Sequence, residues 1–430
     1  MINKFIKTCR EKGDKTAFVF NKRKISFNAL LSDVFRMVNL FKARGISRES
    51  KILLLVPPSY EFYVLLFACI YYGVNVVVMD SYKNFERTRK TMSEGGIRLV
   101  FCNKFTRLLK FKFDSDVEFI NVSDYCKFED SAEPKTADKN KIVLTTFTSG
   151  TTGNPKPINR DIESLEKQID TVSRNIEINE GDVVYAGLPI YVLFVVYSGL
   201  TCVISKKIRK KELCQLGVNA VLAPIAKLLS LKDTLPFVKK LFFGGAMLYT
   251  KEAERLKAAF PTAEITYIYG ASECVLMAKA TLDDYLAHGF AMKYKIDGVE
   301  LTIEDPDNNG IGRIKAVGEV VLTENHIFVG NDIGYFDEFG LHIVGRSRYS
   351  TEDYYNYVED NKMLTENPKV KKGFSFAHKG KRYFCYQGRL SNEYPTLTCI
   401  KLRKLPMDPK HKTKLDYVKV IEYINRAGKC

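Results

Sequence analysis

Ile52-Leu53-Leu54-Leu55-Val56, then Tyr60-Glu61-Phe62-Tyr63-Val64-Leu65-Leu66-Phe67-Ala68-Cys69-Ile70-Tyr71-Tyr72, then Gly73-Val74-Asn75-Val76-Val77-Val78: these residues decide the fold class. The first run is apolar and of strand length, the second is of helix length, and the third is rich in β-branched residues. Gly73 separates the last two. Strand, helix and strand in so short a span make a parallel unit, because a helical crossover lays the second strand beside the first in the same direction. Residues 62–79 carry no charge, nor do residues 183–205, and both runs are long enough to cross a bilayer. Gly73 interrupts the first, and Gly187, Pro189 and Gly199 cut the second. Both therefore read as buried elements of a parallel core, and no transmembrane span is expected.

The same alternation extends outward. Residues 87–95 read as helix, 99–102 as strand, 142–146 as a strand leading into a Gly/Thr loop, 161–176 as helix and 183–186 as strand. Strands at 220–223 and 240–243 flank a helix at 224–231, and a helix at 250–260 precedes a strand at 264–269. From residue 299 the pattern changes to short strands at 299–304, 318–322 and 333–344, the last folded about a turn at 337–340. The expected fold class is α/β. A large N-terminal domain, residues 1–345, has parallel sheets flanked by helices and a small β unit near its end; a small α+β C-terminal domain occupies residues 346–430.

The 430 residues are 46% apolar and 27% charged, ordinary globular values that exclude a disordered, collagenous or disulfide-scaffold chain. The formal net charge is +16. Residues 346–430 hold 19 Lys and Arg against 9 Asp and Glu, so +10 of it lies in the last 85 residues. Such a field suits phosphates, acidic proteins or anionic lipid, and is equally the mark of a plain solvated basic surface. The ten cysteines form no CxxC pair, which fits a reducing compartment, and a cytoplasmic location is expected. His288, His326, His342, His378 and His411 never fall at ligand spacing, so no histidine-built zinc site is expected. Ile2, Phe5, Ile6 and Cys9 give the first residues an amphipathic helical pattern without the apolar core of a signal peptide.

Thr148-Ser149-Gly150-Thr151-Thr152-Gly153-Asn154-Pro155-Lys156 follows the strand at 142–146. Small residues let the backbone approach an anion closely, hydroxyl and N–H groups donate to it, and Lys156 adds charge. From Gly150 the spacing is GxxGxxK, so this is no Walker A loop, and by physics alone it is also compatible with a surface turn. As a sequence, residues 149–156 match SGTTGxPK completely. That is the phosphate loop of the AMP-forming acyl/aryl-CoA synthetase, peptide-synthetase adenylation and luciferase superfamily, which this chain resembles. Further segments resemble that family in the family's own order. Leu188-Pro189 comes first, then Gly244-Gly245-Ala246-Met247-Leu248 (GGAxL), then Tyr269-Gly270-Ala271-Ser272-Glu273, which is YGxTE with serine for threonine. Gly318-Glu319-Val320, the stretch from Asp332-Ile333-Gly334 to Gly345-Arg346, and Leu405-Pro406 through Lys414 complete the series.

The resemblance implies ATP and Mg²⁺ as cofactors and a carboxylic acid as substrate. Thr148, Ser149, Gly150, Thr151, Thr152, Gly153 and Lys156 would hold the β- and γ-phosphates. Gly244, Gly245 and Ala246 would lie on one face of adenine and Tyr269 on the other, with Gly270 beside it. Ser272 would touch a phosphate oxygen, and Glu273 would hold the metal. Asp332 would accept from both ribose hydroxyls, since a carboxylate offers two oxygens to a diol, and Arg346 would add a cation beside them. Lys414, with Lys412 as the alternative register, is the expected catalytic charge, acting with Glu273 and Ser272. Arg348 is the expected hinge.

Tyr191, Phe194, Tyr197 and Phe243 are expected to wall the acid pocket. They are apolar and carry no fixed cation, which favours a fatty or aryl acid over an amino acid. The implied acceptor is a thiol, on CoA or on the phosphopantetheine of an acyl carrier protein. The family's Gly-rich loop after the hinge is missing here, so a relative that forms the acyl-adenylate, or only binds nucleotide, without making a thioester is the alternative. Tyr383-Phe384-Cys385-Tyr386, between Lys381-Arg382 and Arg389, reads as a strand rather than an RNA-binding face, and no nucleic-acid partner is expected.

Overall fold

The strands Lys51–Leu55 and Asn75–Val78 pair in parallel, Leu53 opposite Val77, and the helix Tyr60–Tyr72 crosses between them. Ser59 caps that helix, its side chain accepting from the Phe62 N–H at 3.3 Å. Gly73 ends it in the left-handed region, φ 92°, donating its N–H to the Cys69 carbonyl at 2.8 Å. Phe62, Tyr63, Leu66, Phe67, Ile70 and Tyr71 are all buried although they face different sides, so the helix is apolar all round because protein surrounds it. Residues 183–205 divide into the strand Val183–Ala186, the helix Pro189–Tyr197 and the strand Thr201–Ile204. Among the described residues no helix is long and apolar enough to cross a membrane.

The computed structural model describes residues 2–79, 85–130, 137–147, 156–205, 207–347, 354–407 and 416–426. Its contacts divide the chain into two units, Met1–Leu222 and Ala223–Cys430. In the first unit a six-stranded sheet runs Glu118–Asn121, Leu99–Cys102, Lys51–Leu55, Asn75–Val78, Ile142–Phe147 and Pro157–Asp161, parallel except for the last pair. A second parallel set runs Ala220–Pro224, Val183–Ala186, Thr201–Ile204 and Thr16–Phe20, with Arg23–Ser26 antiparallel at its edge. The first helix, Ile2–Lys12, buries Phe5, Ile6 and Cys9, and Phe5 stacks on Phe67 with ring centres 4.8 Å apart.

In the second unit the parallel strands Lys240–Gly244 and Glu264–Tyr269 are followed by the antiparallel Ala278–Thr281 and Tyr294–Lys295. A long meander then runs Glu300–Glu304, Gly312–Val317, Ile327–Asp337, Gly340–Ser347, Tyr354–Asn356, Val370–His378 and Lys381–Gly388, closed by the parallel Thr398–Lys401. The α/β class with its small β unit is therefore observed. Residues 318–322 depart from expectation: they form a turn, the Val321 N–H donating to the Gly318 carbonyl at 2.9 Å. The strand lies just upstream, where Gly312–Val317 alternates buried and half-buried positions. Val320 and Val321 are buried all the same, and the Leu322 N–H donates to the Glu273 carbonyl at 2.9 Å, so this backbone is satisfied by a neighbouring loop instead of a ladder. Arg346 lies inside the strand Gly340–Ser347, opposite Tyr355, so the sheet continues into the basic C-terminal stretch.

Candidate active site

Gly244 pairs with Ile268, so two parallel strands end side by side, and the loops leaving their carboxyl ends carry the GGAxL-like and YGxTE-like segments. Ligands gather at such ends because helix-flanked parallel strands leave a crevice there. Buried tyrosines fix the first loop. The Tyr267 hydroxyl donates to the Ala246 carbonyl at 2.9 Å and the Tyr285 hydroxyl to the Leu248 carbonyl at 3.1 Å. Gly245 is exposed with φ 94°, and among the described residues no atom lies within 4 Å of a Cβ built on it.

In the second loop the Ala271 N–H donates to the Cys274 carbonyl at 2.8 Å. A Cβ on Gly270 would lie 2.1 Å from the Val275 carbonyl oxygen, so only glycine allows so tight a return. Ser272 and Glu273 sit half-buried at the crest of that return.

The meander supplies the third part. Asp332 and Arg346 are register partners on adjacent strands, and the Arg346 Nη1 donates to Asp332 Oδ1 at 3.0 Å. The Tyr269 hydroxyl donates to Asp332 Oδ2 at 3.1 Å. Both side chains of the ion pair keep access to water, at 20% and 30% exposure. Tyr269 is buried; burial first, then the charge of Asp332, push its phenol well above its ordinary range, so it stays a neutral donor. Tyr269 from one motif, and Asp332 and Arg346 from the two ends of another, are thus brought together.

Of the other expected residues, Thr148, Ser149, Gly150, Thr151, Thr152, Gly153, Arg348, Lys412 and Lys414 lie outside the described residues. Lys156 is exposed next to the strand Pro157–Asp161, whose Pro157 pairs with Phe147. Tyr191, Phe194 and Tyr197 are buried on the helix Pro189–Tyr197, and Tyr197 packs on Phe5 and Phe67 at 5.6 and 5.9 Å. Phe243 is fully buried and stacked on Tyr267 at 5.1 Å.

Two features had no sequence signal. Arg160, on the strand Pro157–Asp161, is buried and donates to the Thr146 hydroxyl at 2.7 Å and to the Gln168 Oε1 at 3.2 Å. Asp360, on the helix Tyr357–Glu366, is fully buried, and it accepts from the Tyr249 hydroxyl at 2.7 Å and from the Ser375 N–H. Burial pushes its carboxyl up to about 7. Tyr249 follows the GGAxL-like loop directly, so this bond ties the loop to the C-terminal stretch.

The residues fit a nucleotide. A carboxylate has about four acceptor positions; Arg346 and Tyr269 occupy one on each oxygen of Asp332, which leaves one on each for a ribose diol. Among the described residues no group of three or more His, Cys, Asp or Glu is gathered as a metal cage.

The chain belongs to the AMP-binding enzyme family, whose model matches residues 5–330. It is 20% identical over 206 residues to the 4-hydroxybenzoate–CoA/benzoate–CoA ligase of Rhodopseudomonas palustris, covering 44% of this chain and 38% of that one. It is 22% identical over 357 residues to the D-alanine–D-alanyl carrier protein ligase of Bacillus licheniformis, covering 75% and 69%. In structure it resembles the O-succinylbenzoate coenzyme A synthetase of Bacillus subtilis in complex with ATP and magnesium ion, at TM-score 0.83, 17% identity, and 97% and 99% coverage. At that identity the likeness is one of fold.

Proposed function

We propose that this protein is an AMP-forming acid–thiol ligase. A substrate carboxylate oxygen attacks the α-phosphorus of ATP, pyrophosphate leaves, and a mixed acyl–AMP anhydride forms. A thiol sulfur then attacks the acyl carbon, AMP leaves, and the thiol proton passes to solvent. The observation that carries this reading is Asp332, whose two oxygens each accept from a separate donor, Tyr269 and Arg346. Two anions must meet in the first step, so charge has to be neutralised where it gathers. Lys156 and the hydroxyls of residues 148–152 would do this at the β- and γ-phosphates, and Lys414 at the α-phosphate and the acid. Magnesium, when bound at Glu273, supplies further charge compensation to the phosphate oxygens.

The activities for which those relatives are named, with benzoates and with a carrier protein, support a carboxylic acid as substrate and either CoA or carrier-bound phosphopantetheine as acceptor. The benzoate activity for which one relative is named supports a hydrophobic acid, aryl or fatty. Residues 346–430 act as the small domain that brings Lys414 to the site, turning about Arg348, and the protein works in the cytoplasm. Exchange of labelled pyrophosphate into ATP, measured with a panel of fatty, aryl and amino acids, tests the first step. No exchange with any acid overturns the proposal, and CoA consumption with the stimulating acid tests the second step.

A further inference from the structure

Between the parallel strands Leu99–Cys102 and Glu118–Asn121 the chain forms a 3₁₀ helix, Thr106–Lys112, outside every element used by the site. Three residues make one 3₁₀ turn, so side chains three apart stand in line. Phe105, Leu108 and Phe111 form one such row, and they are 82%, 73% and 76% exposed. Such a run of large apolar side chains in water marks a contact surface. The next row is Lys104, Arg107 and Lys110, all exposed. The inward row anchors the segment: Leu109 packs on the core that contains Val100, Phe113 and Phe119.

The presentation is fixed rather than floppy. The Asn103 side chain accepts from the N–H groups of Phe105 and Thr106 at 3.0 and 2.9 Å, and the Phe113 N–H closes the far end on the Lys110 carbonyl at 3.0 Å. Lys112 Nζ sits 4.9 Å from the centre of the Phe111 ring. Residues 103–113 contain no acid, and among the described residues none of these four cations is seen in an ion pair.

We infer that this 3₁₀ segment docks the protein on an anionic lipid surface. Apolar tips enter the boundary between headgroups and acyl chains, and the flanking cations meet lipid phosphate and carboxylate groups. Within residues 104–112 the charge is of one sign; the next acids in sequence are the exposed Asp114 and Asp116, and Asp116 is paired with Arg98 at 2.6 Å. The three apolar side chains are each more than 70% exposed, which a fluid bilayer accepts without a matching pocket and which a folded partner would have to seat in one.

The test uses the full chain and sedimentation with vesicles of phosphatidylcholine alone or mixed with phosphatidylserine. Binding should need the anionic lipid and weaken as salt rises. Phe105→Ser/Leu108→Ser/Phe111→Ser should lower the partition constant by about tenfold or more. Lys104→Gln/Arg107→Gln/Lys110→Gln should lower it by about fivefold per cation. All six side chains are exposed, so thermal unfolding should be unchanged in both variants. Three results overturn the inference: no binding to anionic vesicles at low salt, equal binding by the apolar triple variant, or binding of an acidic carrier protein, but not of vesicles, that the apolar variant abolishes.

Discussion

The Tyr269 hydroxyl donates to one oxygen of Asp332 at 3.1 Å, while the other oxygen takes Arg346 at 3.0 Å. These contacts set the direction of the carboxylate before any nucleotide arrives. Asp332→Ala should cut kcat/KM for ATP by about a hundredfold or more, because two hydrogen bonds to a charged group are lost at once. Tyr269→Phe removes one orienting bond and should cost about fivefold. Pyrophosphate exchange against ATP concentration separates the two, and equal effects would show that orientation by Tyr269 matters as much as the carboxylate itself.

Glu273 sits half-buried at the crest of a loop whose backbone is held by Gly270 and Leu322. Glu273→Gln keeps the shape and removes the charge. The rate of adenylate formation should fall strongly, and raised Mg²⁺ should restore part of it, because the lost contribution is metal affinity. The melting curve should move little. A large melting shift with unaltered exchange would make Glu273 a structural residue.

Asp360 gives a pH prediction. Its folded pKa of about 7 lies above the ordinary 3.8, so between those values the folded protein binds the proton and the unfolded chain does not. Stability from this group is therefore full at low pH and lost as pH rises toward and through 7. The loss is a few kcal/mol at most, since each tenfold difference in proton affinity between the folded and unfolded chain is worth about 1.4 kcal/mol. Asp360→Asn should flatten that slope. The amide oxygen can keep the Ser375 N–H, and the amide nitrogen can donate to the Tyr249 oxygen. Thermal unfolding of both proteins from pH 5 to 8 checks it; parallel curves would remove Asp360 as the source.

Lys414 would deliver the charge of the first step only. Lys414→Ala should abolish most pyrophosphate exchange, while thiolysis of a pre-made acyl-adenylate should change little. Lys412→Ala should leave both rates near normal. If Lys412→Ala is the damaging change, the catalytic register lies two residues earlier.

The sequence was most informative where one residue type serves one physical need. Gly73 ends its helix with a positive φ, and the apolar run at 62–71 is buried on every side as its composition demands. It misled at 318–322, where Val320, Val321 and Leu322 have strand composition but the Leu322 N–H finds its partner in the Glu273 carbonyl. Arg160 and Asp360 were silent for a related reason: a charged residue in a string gives no sign of being buried.

By itself the sequence determined the α/β class, through the alternation of helical and strand periods, and the family, through short motifs in a fixed order. Both are local properties, carried by backbone preferences and by residues that cannot be exchanged. Only the tertiary structure decided that Tyr269, Asp332 and Arg346 share one carboxylate, that Tyr197 and Phe243 pack against core rings, and that Phe105, Leu108 and Phe111 face water in a single row. Those outcomes depend on strand register and on which face the neighbouring elements cover. Register and coverage are set by contacts between residues far apart in the chain, which no local stretch of sequence contains.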